Sequence, residues 1–140
     1  MRRRDALYSI PDAARDQANA SRDARELAAL AEMLRAGGLM PPDLPGDPRT
    51  RRLLDALLRG GVAVRTTDRV QKRDIVFHAE AVAGARRLLA AALGNGGDGM
   101  SVGEAGAALG ITRKYSVPLL EHLDAIGFTV RRGDRRRLAA

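Results

Sequence analysis

The segment I-T-R-K-Y-S-V-P-L-L-E-H-L-D-A-I-G, residues 111–127, decides how this chain folds. Its large apolar residues recur at steps of three and four positions, which places them on one stripe of an α-helix. They are Leu119, Leu120, Leu123 and Ile126. Glu121, His122 and Asp124 fall on other faces of the same helix. The pattern predicts a helix that is buried on one side and solvated on the other.

The predicted helix begins with cations instead of acids. Arg113 and Lys114 stand in the first turn, where the backbone dipole is positive and a cation costs roughly 0.3–1 kcal/mol. An external polyanion would supply the missing negative charge, since the leading residues of a recognition helix reach nucleic acid. Tyr115 is suited either to stacking on a base or to packing its ring against the turn. The alternative for the two cations is a solvated, charged turn.

Pro118 leaves two positions for the start of this helix. Proline removes one backbone bond inside a helix but is tolerated at the first helical positions. Either Thr112 caps a helix that bends at Pro118, or the regular helix begins near Ser116 after a looser lead-in. Both alternatives leave residues 113–115 projecting from one end.

The segment after the helix predicts a β-hairpin with a cationic tip. Residues 128–138 alternate around Gly133-Asp134, a two-residue turn signal, and we expect Phe128, Val130 and Leu138 to face inward. Five arginines against one aspartate give residues 127–140 a local charge of +4. A hairpin with this charge beside a recognition helix is suited to contacts with phosphates. The alternative is a charged edge strand that resists aggregation.

A helix-turn-helix precedes this hairpin. Ser101 and Glu104 have the spacing of a capping box, and a short helix follows to Leu109 before Gly110 makes the turn. Upstream, residues 80–93 predict another helix, and the glycine-rich residues 94–99 predict a flexible break. Helix-turn-helix plus hairpin is the pattern of a winged helix. We assign residues 79–140 to this C-terminal domain.

The first half repeats the plan incompletely. Residues 1–20 predict an N-terminal arm, poorly ordered or loosely helical, because few large apolar groups are present to offset the entropy of ordering. Residues 21–78 predict a degenerate winged helix: a helix ending at Gly37-Gly38, a proline-rich connection, a helix starting at Asp47-Pro48, and two strands. The connection is too short for a middle helix. The predicted fold class is mostly α with small β-hairpin wings (α+β), arranged as two tandem winged-helix domains.

Composition favours an acidic partner. The 140 residues include 24 Lys and Arg against 17 Asp and Glu, a formal charge of +7, which points to nucleic acid ahead of an anionic membrane surface. No cysteine is present, so thiol chemistry and thiolate zinc sites are excluded. His78 and His122 lie in different predicted units without carboxylates at ligand spacing. We expect a cytoplasmic, non-enzymatic protein that needs no cofactor or metal and does not enter a membrane.

From Ser101 onward the sequence resembles the last winged helix of bacterial selenocysteine-specific elongation factors (SelB). The resemblance is carried by T-R-K-Y at residues 112–115, V-P-L-L-E at 117–121, I-G-F-T at 126–129 and R-R-G-D-R-R at 131–136. F-H-A-E-A at 77–81 resembles the family's junction between its last two winged helices. The resemblance implies that this part binds an mRNA hairpin beside a UGA codon read as selenocysteine. A separate part of such factors binds GTP and the tRNA.

The resemblance also implies a set of RNA-contacting residues and partners. The residues are Arg113, Lys114, Tyr115, Arg131, Arg132, Arg135 and Arg136. The partners are the mRNA stem-loop and, because this chain has no GTPase, a separate GTPase polypeptide and the ribosome. Two alternatives stay open: a winged-helix DNA-binding regulator, and an adaptor that docks on a GTPase subunit. Because no dimerisation helix is evident, we expect a monomer.

Overall fold

The computed structural model describes residues 5–94 and 97–139, with side chains from residue 14 onward. Residues 1–4, part of the predicted arm, and 95–96, part of the predicted break, lie outside that description. The helices are α1 (Asp5–Gly37), α2 (Pro48–Arg59), α3 (Ala79–Leu93), α4 (Val102–Leu109) and α5 (Arg113–Ala125). The strands are β1 (Ala63–Asp68), β2 (Arg73–His78), β3 (Met100–Ser101), β4 (Thr129–Arg132) and β5 (Arg135–Leu138).

The first unit consists of α1, α2 and the β1–β2 hairpin. Asp47 begins α2 as predicted, because its carboxylate accepts the Thr50 backbone N–H at 3.0 Å and Pro48 follows at the first helical position. An irregular connection, residues 38–47, joins α1 directly to α2. The prediction of a winged helix without its middle helix is confirmed.

The second unit contains α3, β3, α4, α5, β4 and β5. The capping box at the start of α4 is confirmed: Ser101 and Glu104 exchange both backbone-to-side-chain bonds. Gly110 ends α4 with a left-handed φ of 72°, which turns the chain into α5. The small antiparallel sheet has the order β3-β5-β4. Gly133 takes the positive φ of 63° that the tight β4–β5 turn needs.

The two units share the β1–β2 hairpin. Ile75 and Phe77 on one face of it pack into the core of the second unit, against residues of α3, α4 and α5. Ala63 and Val76, on the other face, pack against α1 and α2. One core comprises Ile75, Phe77, Val82, Ala85, Leu89, Ala105, Leu119, Leu120 and Leu123. The other comprises Leu30, Leu34, Leu54, Leu57 and Ala63.

The structure corrects two details of the sequence-based predictions. Ile126 is the C-cap of α5 and 51% exposed, so it is not part of the buried stripe. Val130 is 37% exposed, while Thr129 faces inward instead and is 2% exposed. The α1 helix runs from Asp5 without interruption past residue 20, so the division into an arm and a first domain at that point stays a prediction. Within the described ranges, no helix has the length and hydrophobicity needed to span a bilayer.

Candidate nucleic-acid interface

The start of α5 is a helix end without a side-chain cap. Thr112 is the N-cap residue, but its hydroxyl makes no capping bond; its carbonyl accepts the backbone N–H groups of Tyr115 and Ser116, both at 3.0 Å. No acid lies in the first turn, which carries Arg113 and Lys114. The helix continues through Pro118, which is fully buried. The first of the two predicted positions for the helix start is therefore correct, and the first turn itself supplies no acid to offset the positive end of the helix.

The three predicted contact residues at this end differ in exposure. Arg113 is exposed, and no bond to it is found in the described part of the chain. The Lys114 ammonium lies 3.4 Å from the carboxylate of Asp43, in the irregular connection, and 5.2 Å from the centre of the Tyr115 ring. Tyr115 is half-buried and packs against the core of the second unit. The end of α5 thus presents one unpaired cation, one weakly paired cation and a ring already used for packing.

In the wing, defined here as β4, β5 and their turn, arginines face one another across the strands. Arg131 lies opposite Arg136, and Arg132 lies opposite Arg135. Like charges in directly opposed positions destabilise a hairpin. The structure removes this repulsion by giving the β5 arginines, but not the β4 arginines, carboxylate partners.

Arg136 is an internal residue. Its side chain is 4% exposed, and its Nε donates to Asp124 Oδ2 at 3.0 Å. The other oxygen of Asp124 accepts the Thr129 hydroxyl at 2.6 Å. Asp124 lies in the last turn of α5, where the helix dipole disfavours a carboxylate. Its bonds to Arg136 and Thr129 offset this unfavourable position. This network fastens the wing to the end of the helix.

Arg135 holds the other side of the wing. Its guanidinium lies 3.0 Å from the Glu104 carboxylate and donates to the backbone carbonyls of Asp98 and Gly99 at 3.1 and 2.7 Å. The backbone bond from Ser101 and the charge of Arg135 hold the pKa of Glu104 below its usual value. Arg135 therefore ties β5 to the segment before β3 and to the start of α4.

The β4 arginines are the accessible ones. Arg131 is exposed, and its Nε donates only to the Gly133 carbonyl at 2.8 Å. Arg132 is exposed and has no partner among residues 5–94 and 97–139. Arg137, which is not in the predicted set, is also exposed. The wing thus divides into a β4 side that presents charge and a β5 side that is largely anchored.

The structure places the two groups of predicted residues at opposite ends of α5. Arg113 is the first residue of the helix, whereas Arg136 contacts Asp124, eleven residues later. At about 1.5 Å of rise per residue this separation is roughly 16 Å along the helix axis. A single contact point is therefore excluded, and a ligand that meets both groups must extend along the helix.

Sequence reasoning missed the tip of the β1–β2 hairpin. Residues 69–72 connect the strands. This connection and the first residue of β2, together called the tip, carry three exposed cations: Arg69, Lys72 and Arg73. A cleft of about 310 Å³ lies between this tip, the end of α5 and the wing. Its lining residues are Arg69, Glu121, Asp124, Ala125, Arg131 and Arg136. The signal in the sequence was the D-R-V-Q-K-R run between two strands, which resembles the wing's own cationic tip.

This surface is suited to binding anions, because most of its exposed charged side chains are cations. His122, on α5, is half-buried, and burial, together with the nearby charge of Arg86, lowers its pKa below 6.5. Its imidazole is therefore neutral at physiological pH. No cluster of three or more metal-ligating side chains occurs in the parts of the chain that the structure describes.

Residues 92–138, from the last turn of α3 to the end of β5, match the sequence family described as elongation factor SelB, winged helix. The matched segment of the second unit is therefore similar to SelB winged helices. The chain as a whole is similar to a solved bacterial selenocysteine-specific elongation factor, EF-Sec, with 28% identity and a TM-score of 0.61. That similarity covers 80% of this chain but only 18% of EF-Sec. No curated protein sequence shows a significant match.

A second solved structure shares the fold over nearly its whole length. It is the mRNA-binding domain of elongation factor SelB from E. coli, determined in complex with SECIS RNA. The TM-score is 0.58 with 19% identity, and the similarity covers 83% of this chain and 96% of the E. coli domain. At this identity the comparison shows the fold: the tandem arrangement of both units recurs in the SelB domain.

Proposed function

We propose that this chain is the RNA-binding module of a selenocysteine-specific elongation factor. It recognises an mRNA hairpin through its C-terminal winged helix, so that a UGA codon is read as selenocysteine. The observation that carries the proposal is the match of residues 92–138 to SelB winged helices, combined with a cationic start of α5 whose first turn contains no acid. The E. coli domain of the same fold was solved with SECIS RNA, which supports RNA as the ligand.

The predicted contact residues take two roles in this proposal. Arg113, Lys114, Arg131 and Arg132 bind RNA directly, because their charges are exposed or only weakly paired. Tyr115, Arg135 and Arg136 act indirectly by holding the helix start and the wing in place. Guanidinium groups are suited to this function because each presents several N–H donors to phosphate oxygens.

The module binds without catalysing a reaction. A winged helix recognises nucleic acid by shape, charge and exposed bases, and the GTP-dependent step belongs to another part of the factor. Because this chain corresponds to 18% of EF-Sec, we propose that it acts in the cytoplasm together with a GTPase, on the same or a separate polypeptide, at the ribosome.

The test compares three labelled ligands by fluorescence anisotropy: a SECIS-type RNA hairpin, an RNA of the same composition without a hairpin, and a duplex DNA of the hairpin sequence. We expect the hairpin to bind most tightly. Preference for the duplex DNA would instead favour a DNA-binding regulator, and equal weak binding to all three would refute specific recognition.

The residue-level test is a double variant, Arg113→Ala with Lys114→Ala. Removing one cation that binds a phosphate reduces the slope of log K against log salt by about 0.7–0.9, so the double variant should reduce it by about 1.4–1.8. The matched control is Arg25→Ala with Arg52→Ala, which removes the same charge from exposed positions on α1 and α2. Equal salt slopes in both double variants would remove the start of α5 from the interface.

A further inference from the structure

The tip of the first hairpin and the wing lie at the same end of α5. Arg69 from the tip and Arg131 and Arg136 from the wing line one cleft, which Glu121 and Asp124 of α5 close from below. The cleft is therefore formed by both units, although the tip and the wing are far apart in the sequence. A ligand bound there would contact both halves of the molecule.

The position of Arg69 is fixed by the fold. Asp68, 4% exposed, accepts the backbone N–H groups of Val70 and Gln71, both at 3.0 Å, and so builds the turn that contains Arg69. Below the tip, Ile75 and Phe77 are buried in the core that includes α5. The hairpin therefore holds the Arg69 backbone in a set place relative to α5 and the wing.

The cleft contains more unneutralised positive charge than an internal ion-pair network requires. Asp124 already bonds Arg136 and Thr129. Arg69 has no partner in the described part of the chain, and Arg131 bonds only a backbone carbonyl. Glu121 lines the cleft, yet its Oε1 is buried without a hydrogen-bond partner and forms no ion pair within the described residues. Two guanidinium groups from different units thus line one space, and within the described residues neither is paired with a carboxylate.

We propose that this cleft binds a backbone phosphate of the RNA, so that the first unit takes part directly in RNA binding. The inference rests on the proposed function and adds a second contact point to it, about 16 Å along α5 from Arg113. The ligand is a phosphodiester group, because forked donors on both sides match its oxygens. The contact is independent of base sequence, since it is made to the backbone alone.

The test is Arg69→Gln in the full chain, compared with Arg52→Gln, which removes an equal charge from the exposed side of α2. We expect Arg69→Gln to weaken hairpin binding by about 5–10-fold and to reduce the salt slope by about 0.7–0.9, equally for hairpins with the native loop and with an altered loop. Arg69→Lys, which keeps the charge, should restore the salt slope. Urea midpoints for all three variants should match the wild type.

A second variant examines the opposite charge. Glu121→Gln removes a carboxylate from the cleft and should strengthen hairpin binding, because less negative charge then opposes the phosphate. If Glu121 instead serves as the partner of Arg69, Glu121→Gln leaves RNA binding unchanged and lowers the urea midpoint, which overturns the inference. Salt slopes identical in Arg69→Gln and Arg52→Gln also overturn it.

The outcomes separate the two proposals. If the Arg113 and Lys114 double variant loses hairpin binding while Arg69→Gln behaves like its control, the proposed function stands and the phosphate cleft fails. If the wild-type chain does not prefer the hairpin over unstructured RNA, the proposed function fails, whatever the behaviour of Arg69→Gln.

Discussion

Asp124→Asn leaves the Arg136 guanidinium buried without a counter-charge, and we expect it to be the most destabilising single substitution among the polar side chains that anchor the wing to α5. Breaking a buried pair from one side typically costs about 3–5 kcal/mol. Arg136 is 4% exposed but Asp124 keeps 24% exposure, so water reaches one partner and we expect a loss of about 2–3 kcal/mol. For a chain of this size that loss corresponds to roughly 6–15 °C in the melting temperature.

The companion substitution is Arg136→Met, which preserves much of the packing volume. It leaves Asp124 partly solvated and still bonded to Thr129, so the expected loss is smaller, about 1–2 kcal/mol. The double variant should cost much less than the sum of the two single losses, with a coupling energy of at least about 1 kcal/mol. Urea unfolding followed by far-UV circular dichroism measures all three.

The control for this series is Asp43→Asn, which breaks the exposed pair with Lys114 and should change stability by no more than about 0.5 kcal/mol. RNA binding adds an independent readout: Arg136→Met should leave the salt slope unchanged, because the buried guanidinium contacts no phosphate. Additive losses in the two single variants, or a reduced salt slope in Arg136→Met, would refute the anchoring role.

Three further predictions concern the fold. Gly99→Ala should destabilise the chain by at least about 2 kcal/mol, because φ is +84° there and a Cβ would collide with the Arg136 carbonyl oxygen. Thermal melting checks this. Phe77→Ala should lower the free energy of unfolding by about 3–5 kcal/mol. A single unfolding transition of this variant at two wavelengths would confirm that the hairpin is part of both cores. Two separate transitions would contradict that conclusion. The free energy of unfolding should fall as pH drops through about 6.5, because the lowered pKa of His122 means that the unfolded chain binds a proton more readily than the folded chain. His122→Gln should reduce this pH dependence, measured as the difference between urea midpoints at about pH 7.5 and 5.5. An unchanged difference would exclude His122 as its source.

The elements with local signals were predictable from the sequence. Asp47-Pro48, the Ser101–Glu104 capping box and the Gly133-Asp134 turn each satisfy backbone groups within a few residues, so their pattern is enough to position them. The extent of α1 was less accessible. The first half of α1 has few large apolar residues but is rich in alanine. Because alanine has the highest helix propensity, the helix extends further towards the N-terminus than the apolar pattern indicated.

The candidate site was predictable in composition but not in geometry. An arginine in a hairpin reads the same in sequence whether it is exposed, like Arg132, or buried, like Arg136. The difference depends on Asp124, twelve residues from Arg136, and on the strand register that turns Thr129 inward in place of Val130. The position of Arg69 beside the end of α5 and the wing depends on packing between the two units, which no local pattern encodes.

The β1–β2 hairpin, with apolar side chains on both of its faces, determines how the molecule can move. A rotation of α1 and α2 relative to α5 would disrupt the packing of one apolar face of the hairpin against its core. Phe77 or Ala63 would then be exposed to water. Displacement applied at either end is therefore transmitted to the other end instead of being absorbed at a joint. When force is applied to bound RNA, the two units should therefore move together as one rigid body instead of moving independently.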